Sequence, residues 1–283
     1  FYTLITDFDI NSIKKLLPTT KTQKNLLFTR VYFHTFLQRY TSINTLINIY
    51  NNLLSKFKVN IFELEEESEV GLIFETMNDR GLPLSDIDKV KNYLIYLTNR
   101  LNEKSLAKEI NKKFGEIFTD LMAIENYSTA RIENSFLKNC YIAYVGDSKD
   151  LSDIPKKIKT ELIKQREIFA KKNLFDNDGA QRDKKIKEIK DFNNFLHKCS
   201  TFYLQILNQE FDNEEINKSF FRLETLGKIE SFLPLYLAIL TNKKFKPDFL
   251  ISINEILEIF TIRVFIFGNR RGNTGISSIF DLA

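Results

Sequence analysis

The stretch Ser85-Asp86-Ile87-Asp88-Lys89-Val90-Lys91-Asn92-Tyr93-Leu94-Ile95-Tyr96-Leu97-Thr98-Asn99-Arg100-Leu101 decides the fold class. Its apolar residues Ile87, Val90, Leu94, Leu97 and Leu101 recur at steps of 3, 4, 3 and 4. That is the period of one buried helix face. Ser85 stands where an N-cap belongs, and Asp88 follows at capping-box spacing, with Asp in place of the usual Glu. A second helix is expected through Leu106, Ile110, Phe114, Ile117 and Leu121.

The same period runs outward in both directions. Ile10, Ile13, Leu16 and Leu17 form a short stripe that stops at Pro18. From Thr22 to about Phe57 the spacing is helical, with Thr41-Ser42 a place to divide it in two. Val59, Ile61 and Leu64 break the pattern and make the best candidate for a short strand. Helices are expected over Thr129 to Tyr144, ended at Gly146, and over Ile154 to Lys172, which is basic. Three more are expected: Asp183 to Leu207, Asn213 to Thr241 with Pro234 kinking it or opening a new helix, and Ile251 to Phe267 with Gly268 at its end. The fold expected is therefore mainly α, a multi-helical body with at most one or two short strands. A break near residues 125 to 150 leaves room for two lobes, an N-terminal helical part over 1–125 and a C-terminal helical part over 126–283.

Composition agrees. The 283 residues include nine Gly and five Pro, too few for the turns of an all-β protein. With 43% hydrophobic and 28% charged residues the chain has the balance of a globular protein. Lys plus Arg is 41 and Asp plus Glu is 37, a net charge of +4 that does not by itself argue for nucleic acid. Two histidines, His34 and His197, and two cysteines, Cys140 and Cys199, are too few for a Cys/His zinc site and speak against an HNH or Ser-His-Asp centre. One disulfide at most is possible, which suggests a reducing, cytoplasmic setting. No run of about 18 apolar residues suggests a membrane span. The opening residues lack Met and a signal-peptide pattern, as an internal piece of a longer chain would.

The residues Asn78-Asp79-Arg80-Gly81-Leu82-Pro83 read as a tight loop between two helices. Gly81 permits positive φ, Pro83 stiffens the exit, and the Ser85 helix start offers free N–H groups. With Arg80 as a fork of donors, the arrangement suits a phosphate. Lys91 and Asn92 follow two turns on, and Asp88 and Asn92, at i,i+4, share a face. Local capping alone also accounts for Asn78, Gly81 and Ser85, and both readings stand.

The segment Ile73 to Leu94, with Phe74-Glu75, Asn78, Arg80-Gly81, Leu84-Ser85, Asp88 and Lys91-Asn92, resembles a motif of the N-terminal domain family of GmrSD-type restriction endonucleases, the ParB-like nuclease domains. Weaker likenesses follow in order: Leu4 to Leu17 with Asp7 and Asp9, Phe136-Leu137 to Gly146, Phe232-Leu233-Pro234-Leu235, and Arg263 to Gly268 with Gly275 to Phe280. The resemblance implies a helical portion of a bacterial, nucleotide-dependent restriction or phage-defence protein that acts on foreign or modified DNA. It makes Asn78, Arg80, Gly81, Ser85, Asp88, Lys91 and Asn92 candidates for nucleotide or phosphate binding. It implies no cofactor held by this piece, with NTP and Mg in the intact protein. It also implies an HNH nuclease domain in the same or a partner chain.

The family's Asp-Gly-Gln-Gln-Arg signature does not occur; its place would lie before Phe1, so no catalytic residue is assigned. Asp178-Gly179-Ala180-Gln181-Arg182 is similar to it but reads as a surface turn leading into a helix. DNA contacts are expected of Arg270 and Arg271 between Gly268 and Gly272, and of the basic helix at Lys156 and Lys159, which also reads as a solvated lysine face. Cys140 and Cys199 lie on helical stripes, as buried thiols do. A non-enzymatic helical interaction module is the alternative reading of the whole.

Overall fold

The computed structural model describes residues 21–58, 84–124, 129–146, 151–163, 179–242, 248–271 and 274–276. Of the residues it describes, 82% are helical and none is in a strand. The candidate strand at Lys58 to Leu64 lies outside them from Val59 on, as do the stripe before Pro18 and Lys164 to Lys172 of the basic helix.

The chain divides into two compact units, Phe1–Glu63 and Leu64–Ala283. In the first, α1 (Lys21–Leu37) and α2 (Ile43–Lys56) are separated where Thr41-Ser42 marks the break, and Ser42 is the N-cap of α2. Along α1 and just beyond it, Tyr32 stacks near Phe36 at 6.3 Å, and Phe36 meets Tyr40 edge-on at 5.5 Å. No residue of α2 is buried.

The second unit holds α3 (Asp86–Arg100), α4 (Lys104–Met122), α5 (Thr129–Val145), α6 (Ile154–Lys157) with a π-helical turn Ile158–Leu162, and α7 (Gly179–Asn208). It continues with α8 (Glu214–Thr225), α9 (Ile229–Thr241) and α10 (Phe249–Phe260), the last extended by a π-helical stretch Thr261–Phe267. The apolar stripes read from the sequence are its core: Ile87, Leu94, Ile110, Phe114, Leu196 and Phe232 are fully buried in one cluster. Helices on both sides of residue 125 share that cluster, so the division expected there falls inside one unit. The reason is α7, which packs on α4 from before the expected break and on α5 and α9 from after it.

The α4–α7 seam carries regular polar rungs. Lys113 Nζ donates to Asn194 Oδ1, His197 Nε2 lies 2.8 Å from Glu116 Oε2, and Ser200 Oγ donates to Asp120 Oδ2 at 2.7 Å. The sequence offsets are 81, 81 (197 − 116) and 80, so the two helices run parallel in fixed register. At the start of the seam, Arg182 Nη2 donates to the Leu101 carbonyl at 2.9 Å and to Glu103 Oε1 at 2.6 Å. Arg182, from the stretch that is similar to the family signature, thus fastens the turn between α3 and α4, in which Asn102 takes φ 55°.

Two helix ends differ from expectation. Asn213 to Thr241 breaks at Gly227, whose φ of +67° ends α8, while Pro234 sits inside α9. Gly268 does follow the last helix, but with φ −75°, so left-handed freedom is not its role. A Cβ there would lie 2.7 Å from the Val264 carbonyl oxygen and 2.9 Å from that of Arg263. The wide π-helical turn brings those carbonyls close, and the next residue, Asn269, takes the positive φ, 45°. Gly146 is as expected: φ is +72° and its N–H donates to the Ile142 carbonyl at 2.8 Å.

Candidate nucleotide and phosphate site

Asn78, Arg80 and Gly81 lie outside the described residues. The candidate residues that follow stand on α3. Ser85 is extended (φ −63°, ψ 156°) and its Oγ accepts the Asp88 N–H at 3.3 Å, as an N-cap does. The reciprocal half differs from a full capping box. Asp88 Oδ2 accepts from the Ser85 hydroxyl at 2.7 Å, the bond a carboxylate one methylene shorter than Glu makes here. Asp86 and Asp88 both lie in the first turn, where the helix end favours negative charge. Lys89 pairs with Asp86 at 3.1 Å. Lys91 and Asn92 are half-buried on α3, and no hydrogen bond among the described residues joins Asp88 to Asn92.

The basic segment comes to the side of the same helix. Tyr93, next to Asn92, donates its phenol to the Ile163 carbonyl at 2.7 Å, and Lys159 Nζ stands 5.6 Å over its ring. Lys159 therefore rests on α3 rather than on a wholly solvated face, while Lys156 is exposed and follows Asp153, whose side chain caps α6. Burial pushes the Tyr93 phenol well above its ordinary value, with Tyr96 adding to it, so Tyr93 is a lasting donor. Arg270 and Arg271 are exposed beyond the π-helical stretch, on the other end of the unit's sequence.

His34 and His197 are accounted for by neighbours. His34 bonds Gln38 at 2.9 Å, and His197 belongs to the α4–α7 seam. Cys140 on α5 and Cys199 on α7 are free, fully buried thiols. Burial first, then Cys199, raises the Cys140 thiol well above its usual range.

One feature of α5 was missed by the sequence reading. Arg131, Ser135, Lys138 and Asn139, at i, i+4, i+7 and i+8, line a cleft of about 530 Å³ closed by α7, α8 and α9. The signal is a polar helical stripe on the flank of the apolar one (Phe136, Cys140, Tyr144) that identified the helix.

Comparison of the chain with protein-family models, with curated proteins and with solved structures finds no match. No helix among the described residues is long and apolar enough to cross a membrane.

Proposed function

We propose that this chain is the helical part of a nucleotide-dependent bacterial restriction or phage-defence protein acting on foreign or modified DNA. On this reading it contributes a scaffold and part of a nucleotide or DNA phosphate site, and is inactive alone. The observation that carries the proposal is the start of α3. The motif resembling the GmrSD-type N-terminal domains runs straight into a helix whose first turn is capped by Ser85. The N–H groups ahead of Asp88 and the partial positive charge of the helix end favour a phosphate oxygen, with Lys89 and the Ser85 hydroxyl offsetting the Asp86 and Asp88 carboxylates of the same turn. Lys159, held against Tyr93 about two turns further along the same helix, adds a cation to its side. Nucleotide and Mg belong to the intact protein, as does the HNH nuclease domain in the same or a partner chain. Arg270 and Arg271 supply further contacts to the DNA backbone.

Binding of ATP, GTP and duplex DNA to the intact parent protein tests this. Binding that falls at least tenfold in Arg80→Ala supports it, and absence of any binding by the parent rejects it.

A second reading, a non-enzymatic helical interaction module, is favoured by a different observation. Ile256, Ile259, Ile266 and Phe267 are more than half exposed along α10 and its π-helical extension, opposite the residues that helix buries. An apolar surface of that kind is typical of protein contacts.

A further inference from the structure

None of the described residues discussed for nucleotide or DNA lines the cleft walled by α5, α7, α8 and α9. Its walls have opposite charge. On α5, Arg131 and Lys138 project into it; across the opening stand Glu224 in the last turn of α8 and Glu230 in the first turn of α9. Arg131 and Glu230 meet at only 3.6 Å with both side chains about three-quarters exposed, a pair weak enough for a ligand to displace. Lys138 has no ion pair among the described residues.

The deep end is polar and built. Tyr203 is 2% exposed, and its hydroxyl accepts from Asn139 Nδ2 at 3.3 Å. No acceptor for the phenolic hydrogen is present among the described residues, and burial keeps that hydrogen in place by raising the phenol far above its ordinary value. Ile124, Ile132, Leu207 and Leu233 add apolar surface to the lining. The volume is that of a small-molecule site.

We infer that this cleft binds a small zwitterion with an apolar side chain, the chemistry shared by free apolar amino acids and short apolar peptides. Its carboxylate meets Lys138 and the Tyr203 hydroxyl, its ammonium meets Glu224 and Glu230, and its side chain rests on Ile132 and Leu233. A ligand carrying both charges meets both walls at once, which a simple anion or a simple cation does not.

Calorimetric titration of the 283-residue chain at pH 7 tests this with L-leucine, L-phenylalanine and leucyl-leucine as probes. Binding of either amino acid, or of the dipeptide alone, supports the inference and separates the two sources. In support, 4-methylpentanoate, which lacks the ammonium, and leucinamide, which lacks the carboxylate, each bind at least tenfold more weakly. Lys138→Met and the double variant Glu224→Gln/Glu230→Gln alter only exposed side chains and should each weaken binding at least tenfold with unchanged circular dichroism. No binding of any of the three probes overturns the inference. So does equal binding of 4-methylpentanoate, indifference to Lys138→Met, or displacement of leucine by equimolar AMP.

Discussion

Tyr236 donates its phenolic hydrogen to Asn254 Oδ1 at 2.5 Å, with both residues wholly buried. Asn254 Nδ2 in turn donates to Ser219 Oγ at 2.7 Å, and Ser219 to the Ile216 carbonyl, so one chain of bonds joins α9, α10 and α8. Removing the first link strands the acceptor of Asn254 away from water. Tyr236→Phe should therefore destabilise the protein by about 1–3 kcal/mol, read as a lower urea midpoint.

Asn193 presents the opposite case. It is fully buried on α7, and neither its amide nitrogen nor its oxygen has a partner among the described residues. Replacing it with a similarly branched apolar side chain removes that cost. Asn193→Leu is expected to stabilise by about 1–2 kcal/mol, and a lower melting temperature for this variant would contradict the account.

Gly268→Ala forces a methyl group against two backbone carbonyls, at 2.7 and 2.9 Å. Neither can swing away as a side-chain tip would. Denaturant unfolding should show a loss of about 1–3 kcal/mol. Gly115, with nothing within 4 Å of a Cβ, is the control, and Gly115→Ala should be neutral or stabilising.

Arg182→Ala removes both bonds to the α3–α4 turn. The expected loss is about 1.5–3 kcal/mol, with faster hydrogen exchange at Asn102 and Glu103. An unchanged unfolding midpoint would show that the two bonds make no net contribution.

Tyr93, Tyr203 and Tyr236 all have phenols raised by burial. Each stays protonated in the folded chain after the unfolded chain has begun to ionise, near pH 10. Their contribution is thus whole below pH 10 and is lost as pH climbs from there toward the folded values. Unfolding midpoints should fall steadily above pH 10, and phenolate absorbance from these three should appear only with unfolding.

Much of the fold was legible because burial imposes a period. The stripe from Ile87 to Leu101 and the capping signal at Ser85 each give the helix that is present. Less legible was where wide turns replace α-helical ones. The sequence after Phe260 keeps its apolar character, so nothing local marks the change, and only the approach of Val264 and Arg263 carbonyls explains Gly268. The extent of one core across residue 125 was hidden for a related reason. It depends on α7 reaching back to α4, which no local pattern reports. Of the candidate phosphate residues, Ser85 and Asp88 meet as their spacing implied. The approach of Lys159 to Tyr93, 66 positions earlier, could not be read from either segment alone.

The constant offset of about 81 between α4 and α7 has an evolutionary consequence. Inserting one residue between Lys113 and Asp120 would rotate every later rung by about 100° and uncouple it from α7. No rung fixes the number of residues joining one helix to the other. Descendants of this chain should therefore gain and lose length between the helices of that connection, while α4, α5 and α7 keep their count.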